Sequence, residues 1–186
     1  MKLIKKYFIL TTSGNFPEKY GKWRYYLEIL NKELNRKNEF IIKYMLSHLT
    51  NDNTGGRTKL MKLIFLVEHY DPVEKSVKVM PRVGNDFIIY NYGVFSFSVY
   101  DSLIRLIKSG EITEDHFKLS VNENIKKGSN TVDNKLISCI DNILNEFGDM
   151  DKKGLETFTL KLLKISPDKK TDFMGVPVRE VIINCE

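Results

Sequence analysis

Two apolar segments separated by a β-rich insertion constrain this chain more than anything else in it. The first is Arg57-Thr-Lys-Leu-Met-Lys-Leu-Ile-Phe-Leu-Val67, and the second is Tyr92-Gly-Val-Phe-Ser-Phe-Ser-Val-Tyr-Asp-Ser-Leu-Ile-Arg-Leu-Ile-Lys-Ser-Gly110. In the first, Leu60, Leu63, Ile64 and Val67 recur at helical spacing, while Met61, Phe65 and Leu66 widen the stripe almost all round. A helix that is apolar on nearly every side belongs in the middle of a core. Its expected N-cap is Thr58, and Asp71-Pro72 ends it, because the residue before a proline is pushed out of the α region. In the second segment Val99, Leu103, Leu106 and Ile107 share one face. Ser98, Asp101, Arg105 and Lys108 share the other, and Gly110 is a natural C-cap.

The remaining elements arrange themselves around these two. Residues 3–12 have the bias of a short strand, and a helix follows through Trp23, Leu27, Leu30 and Leu34. Asn35 to Asn38 is expected to break it before a second helix at 39–49. Residues 76–80 and 86–92 look like two strands around Gly84-Asn85. Phe117, Leu119 and Val121 alternate as a strand, with a hairpin tip expected at Ile125-Lys-Lys-Gly-Ser129. Helices at 133–147 and 152–165 and an apolar segment through Val181 to Ile183 complete the chain. The expected fold class is α+β, mainly helical, with a winged-helix-like core and additional N- and C-terminal helices. The expected division is a strand and basic helical arm at 1–36, then the winged-helix domain at 37–186.

Composition narrows the function classes. With 42% hydrophobic residues the chain can support a core without disulfides or metals. The two cysteines, Cys139 and Cys185, are far apart and form no C-x-x-C, as expected of thiols in a reducing compartment. No stretch approaches a membrane span or a secretory leader, so a soluble, cytoplasmic protein is expected. The net charge of +5 is uneven: residues 1–62 carry 13 Lys+Arg against 5 Asp+Glu. An anionic partner would therefore meet the N-terminal third.

Lys59-Leu60-x-Lys62-Leu63, followed by Tyr92-Gly93 and a helix ending at Gly110, resembles the Panacea domain, the SocA-like antitoxin family with archaeal YwgA-like relatives. The resemblance covers residues 40–165 and includes the late helix pair around Gly154-Leu155. Val94 stands where such domains carry proline, and the N-terminal extension has no counterpart. The resemblance implies a non-enzymatic helical domain from a mobile element or defence context. Such domains neutralise a toxin by direct contact or adapt it for degradation, so the expected partner is another protein, toxin-like or a self-copy.

Three further groups of residues carry possible chemistry. Gly56, Arg57, Thr58 and Lys59 open a helix, where free N–H groups favour an anion, although a turn plus cap is the plainer reading. For nucleic acid the candidates are Lys19, Lys22 and Arg24, interleaved with aromatics, then Arg105 and Lys108 on a recognition helix, and Lys126 and Lys127 on a wing tip. For Lys19, Lys22 and Arg24 the plainer reading is core packing with snorkelling lysines. A winged-helix DNA-binding regulator is thus the alternative to a protein-binding domain. His48, His69 and His116 share no metal-ligand spacing, no nucleophile motif is present, and neither an enzyme nor a cofactor is expected.

Overall fold

The computed structural model describes residues 21–49, 56–122 and 133–183. The chain divides after Glu33, and the core belongs to the second unit, Leu34–Glu186. Helix α1 spans Gly21–His48 and buries Ile41, Ile42, Met45 and Leu46. Asn35 to Asn38 stay helical instead of breaking it. Asn38 is fully buried, and its amide exchanges hydrogen bonds of 2.9 and 2.7 Å with that of Asn85. An asparagine with a partner elsewhere in the core no longer competes for its own backbone, which removes its usual cost in a helix.

Helix α2 (Gly56–His69) is the central element, and every residue from Lys59 to His69 is buried. It packs against the late helices and a hairpin strand. It begins two residues before the expected cap, at Gly56, whose φ is +66°. A Cβ there would fall 2.4 Å from the Phe117 carbonyl oxygen, so only glycine lets these two backbones meet.

Three short antiparallel hairpins follow. Strand β1 (Tyr70–Asp71) pairs with β2 (Ser76–Val77), β3 (Ile88–Tyr90) with β4 (Gly93–Phe95), and β5 (Ile112–Asp115) with β6 (Lys118–Val121). The two strands anticipated around Gly84-Asn85 do not pair with each other. Glu68, fully buried near the end of α2, draws that segment across the helix by accepting from the backbone N–H groups of Val83 and Asn85 at 2.7 and 3.2 Å. The Asn85 amide adds a third bond at 2.5 Å. Four polar side chains, Glu68, Asn85, Asn38 and Ser98, thereby satisfy one another inside the core.

Helix α3 (Phe97–Lys108) lies where the periodicity predicts, with Val99, Leu103 and Leu106 buried. Its end is a Schellman closure. Glu111 N–H donates to Leu106 at 3.0 Å and Gly110 N–H to Ile107 at 3.1 Å, with Gly110 at φ +76°. The turn between β5 and β6 is His116-Phe117, so Phe117 is not a strand residue. The tip expected at 125–129 lies outside the described residues. Helices α4 (Asn134–Phe147) and α5 (Lys152–Leu162) are capped by Asp133 and Asp151, which accept from Lys135 and Gly154 N–H at 3.0 and 2.7 Å. A 3₁₀ turn (Pro167–Phe173) and helix α6 (Val178–Ile183) close the described chain.

The fold is α+β and mainly helical, in the order two helices, two hairpins, helix, hairpin, helices. No helix among the described residues is long and apolar enough to cross a membrane.

Candidate protein-binding site

The two sequence motifs meet in space. Lys62 lies on α2 and is buried, and its ammonium donates to the carbonyl of Tyr92 in the β3–β4 turn. Gly93, the first residue of β4, has φ +89°. A Cβ on it would stand 3.3 Å from Cγ of Glu156 on α5 and 3.6 Å from Cε of Lys62. Lys170 closes the group, donating at 2.8 Å both to Glu156 and to the Asn91 carbonyl. One turn of backbone is thus held by two lysines and wedged between two helices. Gly154-Leu155 belongs to the same helix as Glu156, and Leu155 is fully buried.

Burial sets the electrostatics here. Desolvation pushes Lys62 down to about 8, Glu156 partly offsets this, and Lys170 adds to it. Lys59, also buried, donates at 2.5 Å to the Gly148 carbonyl, and desolvation lowers its pKa against the pull of Asp149 and Asp151. A lysine whose folded-state pKa lies below its ordinary 10.5 subtracts from stability at neutral pH. That deficit is full below about 8 and disappears as pH rises through 10.5, where both states are neutral. Lys62→Met is therefore expected to leave the neutral-pH melting temperature unchanged or higher and to flatten the rise in stability across that alkaline window. A marked loss of stability at neutral pH would show that the bond to the Tyr92 carbonyl outweighs the cost of burying the charge.

Beside Lys62 opens a cavity of about 130 Å³, lined by Met61, Tyr90, Tyr92, Val94, Phe95 and Tyr100, with Arg57 and Thr58 at its edge. Arg57 is a fixed cation. Its guanidinium grips Glu114 through bonds of 2.8 and 2.5 Å, donates to the Tyr100 hydroxyl at 2.9 Å, and stands 5.6 Å from that ring centroid. Mutual hydrogen bonding raises the pKa of Arg57 and lowers that of Glu114. Around the cavity runs an aromatic cluster centred on Phe95, with Tyr90, Phe97 and Tyr100 at ring distances of 5.4, 5.1 and 5.6 Å. Much of it faces solvent: Tyr92 is 69% exposed, Phe97 61% and Tyr90 43%. The arrangement offers an aromatic surface, a small apolar recess, and cations fixed by hydrogen bonds to Glu114, Tyr100 and the Tyr92 carbonyl.

The sequence candidates are distributed unevenly over this geometry. Lys62, Tyr92 and Gly93 line the cavity, whereas Lys59 donates to the Gly148 carbonyl, Leu60 and Leu63 are buried in the core, and Gly110 ends α3. Of the anion candidates, Gly56 abuts the Phe117 carbonyl, and the side chains of Arg57 and Lys59 are engaged by Glu114 and Gly148. Thr58 lines the cavity. Arg105 bonds to Glu39 at 3.3 Å and to the Ser102 hydroxyl at 2.9 Å, and Lys108 is exposed. Lys19, Lys126, Lys127 and the side chains of Lys22 and Arg24 lie outside the described residues. Sequence reading places Tyr92 in the Tyr92-Gly93 motif but does not single out the aromatic rim around it. The available signal was the density of Tyr and Phe from Tyr90 to Tyr100, five aromatics flanking one glycine. No family model, curated protein or solved structure matches this chain.

Proposed function

We propose that this is a non-enzymatic binding protein whose partner is another protein, antitoxin-like in the sense implied by its resemblance to Panacea domains. The observation that carries the reading is the exposed aromatic surface at the recess beside Lys62, where Tyr90 and Tyr92 line the recess and Phe97 packs on Phe95 of its wall. Exposed aromatic patches of this kind are where protein interfaces concentrate their binding energy, tyrosine above all. The backbone beneath is held by Lys62 and Lys170, so the rim is preorganised and loses little entropy on docking. A mobile-element or defence setting supplies the partner class, a toxin encoded beside this chain. The test is co-expression with the product of the adjacent reading frame. Growth arrest by that product should be relieved by the wild-type chain and not by Tyr92→Ser/Phe97→Ser. Equal relief by the variant would remove the aromatic rim from the account.

The alternative, a winged-helix DNA reader, has less support in the geometry. Helix α3 would enter the major groove, yet its outward face offers Phe97, Asp101, a partnered Arg105 and Lys108. Base readout needs several side chains free to reach base edges. Binding to duplex DNA is expected only at low salt, without sequence preference. Its log–log salt slope should be shallow, near −0.9 for each phosphate neutralised. Tight binding of one sequence at physiological salt would promote the regulator.

A further inference from the structure

The β5–β6 hairpin turns on two residues, His116 and Phe117, whose φ angles are +46° and +68°. With Asp115 paired to Lys118, this is a two-residue turn with positive φ at both central positions. Asn-Gly fills such a turn readily, whereas a bulky side chain there is a steric outlier. Phe117 gains nothing from the core in return. It is 86% exposed, the most exposed aromatic among the described residues. Neither local preference nor packing accounts for a phenylalanine held into solvent on a strained tip.

The complement to that ring lies close by on the same chain. The Phe117 carbonyl packs on Gly56, and the next residue, Arg57, lines the aromatic cavity. At about 130 Å³ the cavity approaches the roughly 150 Å³ that admits benzene in an engineered apolar site. Its charged lining residues, Arg57 and Lys62, are cations, which gain from an aromatic face. The tip also carries Asp115, whose side chain is 87% exposed and bonds to His116 at 2.5 Å.

We propose that the chain forms a two-fold dimer in which Phe117 of each copy enters the cavity between Tyr90, Tyr92, Phe95 and Tyr100 of the other. This rests on reading that face as protein-binding, and it names a second copy as an occupant. Because ring and recess sit side by side, one two-fold axis repeats the contact, giving a closed interface rather than a filament.

Sedimentation velocity of the full chain over a concentration series tests it. The wild type is expected to dimerise, and Phe117→Ala to be monomeric. His116→Asn/Phe117→Gly should also be monomeric, with a melting temperature equal to or above wild type because the turn is relaxed. Thr58→Trp, which fills the edge of the recess, should be monomeric alone. Mixed with Phe117→Ala it should form a weaker heterodimer, since one chain supplies the ring and the other the open cavity. A monomeric wild type, dimerisation by Phe117→Ala equal to wild type, or a mixture that stays monomeric would each overturn the proposal. A monomeric wild type that still relieves toxicity through Tyr92 and Phe97 would sink self-association while leaving the antitoxin-like reading in place.

Discussion

Leu63→Ala should lower the unfolding free energy by about 2–5 kcal/mol, the range for truncating a buried leucine where neighbours cannot close the gap. Leu63 has no exposed surface and sits mid-helix on α2, with Ile64 and Phe65 buried beside it and Leu103 of α3 in the same core. A helix buried on every side has no freedom to tilt into a cavity, so the cost belongs toward the upper end of that range. Urea denaturation with an unchanged m-value measures it. A change within experimental noise would mean that α2 is peripheral.

Gly93→Val is also expected to disturb folding. A β-branched residue is strained at φ +89°, and its Cβ would meet Glu156 Cγ at 3.3 Å and Lys62 Cε at 3.6 Å. Strain and crowding together should cost about 3 kcal/mol or more. Both lysine-held carbonyls, of Asn91 and Tyr92, lie within two residues of the substitution. Circular dichroism and thermal melting would show a destabilised chain. A variant that melts normally but loses its partner would instead make Gly93 an interface residue.

Much of the frame was legible because single helices carry their own periodicity. The stripes of α2 and α3 and the glycine closure at Gly110 are local, and each depends on residues within one or two turns. What escaped was set by partners distant in sequence. The helix continues through Asn38 because Asn85 receives its amide, 47 residues away. Strands around Gly84-Asn85 separate because Glu68 claims the backbone between them. Phe117 falls in a turn, although its spacing with Leu119 and Val121 suited a strand. The site was half legible. Lys62 and Tyr92-Gly93 stood out as motifs, but nothing local showed that both lysines of the motif are buried, or that the bend over Lys62 carries an aromatic rim.

The most direct measurement is calorimetric titration of this chain with the purified product of the adjacent reading frame, comparing wild type with Tyr92→Ser/Phe97→Ser. A saturable complex for the wild type is predicted, with a negative heat-capacity change from apolar burial. The variant, with an unchanged melting curve, should lose affinity at least tenfold, a loss of about 1.4 kcal/mol. Equal affinity for both chains would contradict the account, because it would place the partner somewhere other than the aromatic face over Lys62 and Gly93.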